Sequence, residues 1–287
     1  MKRQEFEQIK ENAEQFSYTS LAYTEYEEVS EYEVLAQNAD VLLLGGENKE
    51  ARSYEIHWAA NTPEALIASV KQKKEGLITF IPKEWVAAME ASGFQIRNAW
   101  HDYFADELTA ACEENTAAYE FLTPAECELA SEITQSCRNQ SRGFTGQTKE
   151  WFLHWIGSEN EDARHASVLV YRVADERSDN GISEHEMLAE EKVEAGKMVG
   201  VLCVGIYGEG ADKTLWIREV AVLPEYQNQG IARKLLKQAF AYGIEYGATK
   251  AFLAADEQNA GAIHLYQSMG FVASTEEAQI DMVWQVS

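Results

Sequence analysis

The feature that most constrains the fold is a strand, a tight turn and a helix that follow one another over residues 215–246. Residues 215–222 are rich in β-branched side chains, which favours a buried strand. Residues 223–230 contain a proline and a glycine and predict a turn, and the helix that follows is predicted to end at Gly247. A helix that starts directly after a strand presents unpaired backbone amides and the positive end of its dipole. The segment therefore predicts an α/β protein with an anion-binding turn.

The composition of this turn suits a phosphate group. Gly230 lets the backbone come close to an anion and Ala232 is small for the same reason, while Arg233, Lys234 and Lys237 add positive charge. The formal net charge of the chain is −24. Physiological salt screens charges beyond roughly 8 Å, so the local donors still control the turn.

Two motifs in this region resemble those of the GNAT superfamily of CoA-dependent N-acetyltransferases. The pyrophosphate loop of that family, Gln/Arg-x-x-Gly-x-Gly/Ala, is matched by Gln227-Asn228-Gln229-Gly230-Ile231-Ala232. As in the family, the loop follows a strand and a turn, here Val222-Leu223-Pro224-Glu225-Tyr226. The family segment Asn-x-x-Ala-x-x-Leu-Tyr-x-x-x-Gly-Phe is matched over residues 259–271.

The second motif places two polar side chains on one helical face. Asn259 and Tyr266 are seven residues apart, which is close to two helical turns. From periodicity alone, Tyr266 would be a core tyrosine with a satisfied hydroxyl and Asn259 an N-cap. The pyrophosphate loop upstream favours ligand contacts for both residues instead.

The resemblance implies direct transfer of an acetyl group from acetyl-CoA to a primary amine. Tyr266 would protonate the departing thiolate as general acid, and a backbone N–H near Val220 would stabilise the oxyanion. The pantetheine would lie along the 215–222 strand as an added strand, and the diphosphate would lie on the amides of the turn. The implied cofactor-binding residues are Val220, Ala221, Val222, Gln227, Asn228, Gln229, Gly230, Ile231, Ala232, Arg233, Lys234, Asn259 and Tyr266.

The attacking amine needs a proton acceptor, because an alkyl amine has a pKa of about 10 in water. Glu219 lies on the strand beside the implied thioester and is the candidate general base. Deprotonation relayed by water is the alternative.

The length of the chain, 287 residues with 46% hydrophobic side chains, allows two cores. Residues 105–122 are small, acidic and aperiodic, so a GNAT-like domain is predicted at 1–110, a linker at 111–122 and the catalytic domain at 123–287. The resemblance implies a mixed, mostly antiparallel sheet flanked by helices, in two GNAT-like domains in tandem. Further strands are predicted at 41–44, 54–59, 77–81, 94–104, 167–173, 198–207, 251–255 and 282–286, with an exposed excursion at 175–196.

The N-terminal half is predicted to be a degenerate copy of the second half. Aligning Gly93 with Gly270 places Met89 opposite Tyr266. The glycine loop is replaced by a segment in which the carboxylate of Glu64 already neutralises the helix end. Its expected role is to pack against the second half and wall the acceptor site, and a coincidental α/β arrangement is the alternative.

Composition limits the partners. The acidic charge argues against nucleic acid and would attract a cationic small-molecule or peptide amine, and the alternative is that an acidic surface simply keeps the protein in solution. Histidines and cysteines lack metal-ligand spacing, so no metal is expected. The longest apolar run, 199–207, is too short to span a bilayer, and a cytoplasmic protein without membrane partners is expected. The oligomeric state stays open, with a homodimer among the options.

Two other functions remain open at this level. The chain could be a non-catalytic CoA-binding sensor or interaction protein, or an acyltransferase with another acyl donor. The acceptor itself is not deduced. Arg142, Phe144, Trp151 and Trp155 fall where the first two helices of the family line the acceptor pocket, although tryptophans on a helix are more often core.

Overall fold

A computed structural model describes residues 1–24, 26–48, 53–108, 119–157, 164–174 and 196–284. The helices are α1 (Arg3–Ala13), α2 (Tyr26–Val29), α3 (Pro63–Val70), α4 (Val86–Ala91), α5 (Cys127–Ser136), α6 (Lys149–Gly157), α7 (Ile231–Glu245) and α8 (Ala260–Ser268). The strands are β1 (Tyr18–Thr19), β2 (Glu33–Gln37), β3 (Val41–Asn48), β4 (Ser53–Ala60), β5 (Gly76–Ile78), β6 (Gln95–Ala105), β7 (Glu120–Phe121), β8 (Arg164–Val173), β9 (Lys197–Tyr207), β10 (Thr214–Val222), β11 (Lys250–Asp256), β12 (Val272–Ala273) and β13 (Gln279–Trp284).

All of these strands belong to one sheet with the order β2-β3-β4-β5-β13-β6-β11-β10-β9-β8-β7, to which β1 adds beside β4 and β12 beside β6. Two neighbouring pairs are parallel, β4 with β5 and β10 with β11. The remaining pairs are antiparallel. The predicted fold class, a mixed and mostly antiparallel sheet flanked by helices, is confirmed.

The order of elements repeats along the chain. Three antiparallel strands, β2 to β4, precede α3, the parallel strand β5 and α4, and the strands β8 to β10 precede α7, the parallel strand β11 and α8. The helices α4 and α8 also end alike, because the glycines that follow them have φ values of 92° and 93°. In both, the next amide donates 3.1 Å to a carbonyl, that of Met89 or that of Tyr266. That the first half is a degenerate copy stays a prediction.

The two halves exchange a strand. β13, from the C-terminal half, lies between β5 and β6, with Met282 opposite both Ile78 and Ile96. β6, from the N-terminal half, pairs on its other edge with β11. The amide nitrogen Nδ2 of Asn98 on β6 donates to Oδ2 of Asp281 on β13 at 2.7 Å. The sheet is therefore continuous across both halves.

The proposed division at residues 111–122 stays a prediction, and residues 111–118 of that linker lie outside the described residues. The excursion expected at 175–196 also lies outside them, apart from Gly196. The strands expected from sequence are present with shifted ends. The two-residue strands β1, β7 and β12 were not predicted, and neither was β2, whose exposed Val34 breaks the alternation. Among the helices described, none is both long and apolar enough to cross a bilayer.

Helices cover both faces of the C-terminal half of the sheet. α7 packs on the face that carries Leu215 and Ile217 of β10. α5 and α6 pack on the opposite face, against Trp216 and Ala221. The loop between α5 and α6 contacts both β10, through Gln147 and Glu219, and the end of β11, through Arg142 and Asp256.

We expect Met282→Ala to lower the free energy of unfolding by about 2–5 kcal/mol, because it removes a fully buried side chain from the N-terminal core. Chemical denaturation measures the change. Val272→Ala on β12 is the control, since that side chain is 69% exposed and its truncation is expected to stay within about 0.5 kcal/mol. Equal effects of the two variants would contradict the insertion of β13.

Candidate active site

The strands β10 and β11 separate soon after they meet. β10 pairs with β9 along its whole length, but its parallel partners on β11 are Lys250, Ala251 and Phe252, opposite residues 214–216. Beyond these pairs, and within the described parts of the chain, the β11-facing edge of β10 has no strand partner. Such an edge offers backbone hydrogen-bonding groups to an extended ligand.

A β-bulge reorients β10 at the start of this open edge. The register of β10 against β9 shifts between Ile217 and Glu219. Residues 216 and 219 would face opposite sides of a regular strand, but the extra residue of a bulge changes this alternation. Trp216 packs against Trp155 of α6, and Glu219 bonds to Gln147 of the α5–α6 loop, so both lie on the same face.

Glu219 is held in a fixed position. It is 8% exposed, and its Oε2 accepts a hydrogen bond of 2.9 Å from Nε2 of Gln147. The backbone of Gln147 is tied to α5, because its carbonyl accepts from Ser131 Oγ and its N–H donates to Thr134 Oγ1, both at 2.9 Å. Sequence reasoning missed Gln147. The signal available was the pair of hydroxyls at Ser131 and Thr134 on the apolar face of α5.

The start of α7 has no side-chain cap. Gly230 is the N-cap with φ of 78°, and the first turn of α7 contains no acidic residue. A Cβ at Gly230 would have no heavy atom within 4 Å, which means that the turn faces open space. At the corresponding start of α3, Thr62 Oγ1 accepts from the N–H of Ala65 at 3.3 Å and Glu64 lies in the first turn. The amides of α7 are therefore suited to an anion and those of α3 are not.

Several predicted cofactor residues contact the protein itself. Gln227 Nε2 donates to the carbonyl of Val222 at 2.9 Å and to Gln140 Oε1 at 2.7 Å, so this side chain braces the turn. Gln229 Nε2 donates to the carbonyl of Glu225 at 3.3 Å. Asn228 contributes a left-handed backbone with φ of 60°.

The remaining predicted cofactor residues, on β10 and α7, have side chains that are buried, partly buried or paired within the protein. The side chains of Ile231 and Ala221 are buried in the core, so these residues could offer a ligand their backbone. Ala232 and Val220 are partly buried beside the same core. Arg233 donates to Ser268 Oγ at 2.7 Å, and Lys234 donates to a tyrosine hydroxyl of β8 at 2.8 Å.

The second motif lies at the far side of the gap. Asn259 is the N-cap of α8, with Oδ1 accepting from the N–H of Ala262 at 3.2 Å. Tyr266 is half-buried and packs edge-on against Phe271. Burial, followed by the negative charge of Glu219, raises the pKa of Tyr266 to about 12. The phenol therefore keeps its proton at neutral pH and lies within electrostatic range of Glu219.

The α5–α6 loop is fastened to the end of β11. Arg142 donates to the buried carboxylate of Asp256 and to Glu257, both at 3.0 Å. Asp256 also accepts from the N–H of Ala99 on β6 at 2.8 Å, which links the loop to the N-terminal half. Arg142 was expected to line the acceptor pocket, and the structure gives it this fastening contact.

The aromatic candidates for the acceptor side form a stack on the same face. Trp155 is 4% exposed and stacks on Trp151 at 5.2 Å, and Phe144 is half-buried beside them. The guanidinium of Arg218 lies 5.7 Å from the ring of Trp151 and 5.6 Å from that of Trp216. Within the described residues, no group of three histidine, cysteine, aspartate or glutamate side chains could hold a metal ion.

Comparison with known protein families and relatives identifies the same part of the chain. Residues 149–271 match the model of the Acetyltransferase (GNAT) family. The thialysine N-epsilon-acetyltransferase of Mus musculus is 29% identical over 98 residues, which cover 32% of this chain and 58% of that protein. The spermidine N(1)-acetyltransferase of Escherichia coli (strain K12) is 36% identical over 59 residues, 20% of this chain and 32% of that enzyme. The chain thus matches less than two thirds of the length of either relative.

A solved structure extends the likeness to the whole chain. The GCN5-related N-acetyltransferase from Kribbella flavida superposes with a TM-score of 0.51, at 12% identity, and the match covers 93% of this chain and 95% of that one. Identity this low shows the fold alone. The matched segment contains the open edge of β10, the start of α7 and Tyr266, and residues 149–271 are therefore a domain of the GNAT acetyltransferase family.

Proposed function

We propose that the chain is an N-acetyltransferase that moves an acetyl group from acetyl-CoA to a primary amine by direct transfer. The observation that carries this proposal is the uncapped start of α7 beside the open edge of β10. Members of the GNAT family use acetyl-CoA, which supplies an activated acetyl thioester when bound.

The residues of the gap fit such a ligand. The backbone amides of residues 228–233 would hold the diphosphate, because Gly230 leaves open space in front of them. The backbone of β10 around Val220 would bind the pantetheine in the manner of an added strand, and an N–H there would stabilise an oxyanion. Oδ1 of Asn259 already accepts the capping hydrogen bond. Its Nδ2 is therefore the group proposed to approach the pantetheine.

Two side chains are proposed to act as general acid and general base. Tyr266 keeps its phenolic proton because its pKa is raised to about 12, and it donates that proton to the departing sulfur. Glu219, oriented by Gln147, accepts the proton of the attacking amine either directly or through water. The charge of Glu219 contributes to the raised pKa of Tyr266, which supports the proposal that the two groups act at one site.

The proposed acceptor is the primary amine of a small molecule or peptide. The net charge of −24 favours a cationic acceptor, and the related enzymes are named for thialysine and spermidine, which are both amines. We propose that the N-terminal half does not bind the cofactor, since α3 is capped by Thr62 and Glu64 where α7 starts at Gly230. Its proposed role is to support the acceptor side through Asp256 and Ala99.

Gly230→Ala is expected to weaken CoA binding about tenfold in calorimetry of the intact protein. The left-handed backbone at Gly230 strains any other residue by about 1 kcal/mol, so the turn would shift its amides away from the diphosphate. Gly247→Ala is the matched control, because it imposes the same strain (φ of 84°) at the other end of α7. Equal CoA affinities for the two variants, or no CoA binding by the wild type, would contradict the proposed cradle.

Tyr266→Phe is expected to lower kcat about 10²–10⁴-fold, the usual contribution of a general acid, while KM for acetyl-CoA stays within about threefold. Thiol release with polyamines, lysine analogues and peptide N-termini measures both constants. Tyr103→Phe is the control, since Tyr103 is a buried tyrosine of the core on which Tyr266 packs and its pKa is also raised by burial. Acetyl-CoA binding without transfer to any amine, unchanged by Tyr266→Phe, would favour the sensor over the enzyme.

Glu219→Gln is expected to lower kcat/KM about 100-fold, because glutamine can still accept the bond from Gln147 but cannot take a proton. Below the amine pKa of about 10, the residual rate should rise nearly tenfold per pH unit, following the fraction of free amine. A loss below about threefold at pH 7, with a pH profile like that of the wild type, would favour water-relayed deprotonation.

A further inference from the structure

A cavity of about 510 Å³ opens in the N-terminal half, far along the sheet from the start of α7. β4 and β5 pair in parallel at Glu55–Leu77 and Ile56–Ile78 and then separate, and residues of both strands at and beyond these pairs line the cavity. The volume is within the range of about 300–1,000 Å³ that is typical of small-molecule sites. The residues that line it are Tyr23, Glu28, Ser30, Glu31, Tyr32, Glu47, Asn48, Glu55, His57, Leu77, Thr79, Phe80, Gln279 and Asp281.

The inner wall is a buried and connected set of polar groups. Glu55 Oε2 accepts from the hydroxyl of Tyr32 at 2.8 Å and from Nδ2 of Asn48 at 2.7 Å, and it lies 3.7 Å from Nε2 of His57. On its other side, Nδ1 of His57 bonds to Oγ1 of Thr24 at 2.8 Å. Glu55 and His57 are 7% and 5% exposed. These contacts fix the carboxylate in one orientation at the cavity wall.

The carboxylate of Glu55 stays ionised. Burial alone would raise the pKa of Glu55, but the neighbouring His57 and the hydrogen bonds from Asn48 and Tyr32 outweigh burial and lower it. A buried, oriented anion at the wall of a polar cavity is a strong attachment point for a cation.

Carboxylates dominate the rest of the lining. Glu28, Glu31, Glu47 and Asp281 join Glu55, whereas lysine and arginine are missing from the described residues that line the cavity. Glu47 is paired with Lys74 outside it. A cleft in which carboxylates outnumber cationic side chains, with low-dielectric walls, concentrates cations.

Aromatic rings form the remaining wall. Tyr23 stacks on Phe80, with ring centres 4.7 Å apart and planes at 12°. Phe80 has a φ of 55°, which is unfavourable for a bulky residue, and its N–H donates to Oδ1 of Asp281 at 3.0 Å. Asp281 lies on the exchanged strand β13, so the C-terminal half holds this aromatic wall in place. Aromatic faces attract organic cations and pack against their hydrocarbon parts.

We propose that this cavity binds a small organic ammonium ion, with its charged group at Glu55 and its hydrocarbon part against Tyr23 and Phe80. A bare metal ion would leave most of the 510 Å³ unfilled, and phosphorylated ligands would be repelled by the carboxylates. The site goes beyond the proposed acetyl transfer, since it lies in the other half of the sheet and needs no acetyl-CoA.

The test uses cadaverine as probe and 1-pentanol as its uncharged analogue, with the intact protein. We expect calorimetry to detect cadaverine but not 1-pentanol, and Glu55→Gln and Glu31→Gln each to weaken binding at least about fivefold. Glu90→Gln is the matched control, because it removes one exposed negative charge on α4, outside the cavity, and should leave the affinity unchanged.

Hydrogen exchange of the same samples locates the amine, because cadaverine could also enter the acceptor side. We expect protection in the peptides that contain β4 and β5, and not solely in those of the α5–α6 loop. Thiol release by Glu55→Gln should match the wild type, which separates this proposal from the proposed function. Cadaverine binding that survives Glu55→Gln, protection confined to the α5–α6 loop, equal binding of 1-pentanol, or no binding at all would overturn the proposal.

Discussion

Short parallel pairing between neighbouring strands is the constraint on which both gaps in the sheet depend. β10 and β11 share three residue pairs and β4 and β5 share two before they separate. Parallel strands need a crossover connection, so each gap has a helix start at its mouth. The backbone thus places a helix start beside a strand gap twice. A few side chains then determine whether that helix start is available to an anion. Gly230 leaves the first turn of α7 available to an anion, while Thr62 and Glu64 occupy that of α3.

The two gaps consequently differ in electrostatic character. At the C-terminal gap, a helix dipole and bare amides present positive potential within a chain of net charge −24. At the N-terminal gap, an ionised Glu55 and its neighbouring carboxylates present negative potential. The sheet keeps the two regions of opposite potential several strands apart.

The sequence was informative where local chemistry determines structure. The β10–α7 segment could be predicted because its periodicity changes at a glycine turn, and the N-cap role of Asn259 was one of two readings that its position allowed. The place of β13 could not be predicted, since it depends on contacts such as that between Asn98 and Asp281, 183 residues apart. Gln147 was missed because its role depends on where a loop lies, and Glu55 because one carboxylate on a strand resembles a surface residue.

The exchanged strand also has a consequence for how the chain folds during synthesis. The cavity wall and the N-terminal core both contain residues 279–284. The first half therefore cannot complete its sheet, in which β13 lies between β5 and β6, until that segment has left the ribosome. Domains usually fold as units in the order in which they are made. Here the emerging half would expose two strand edges for most of translation, and such edges recruit other chains. Chaperone dependence in the cell should therefore exceed what the stability of the finished protein suggests.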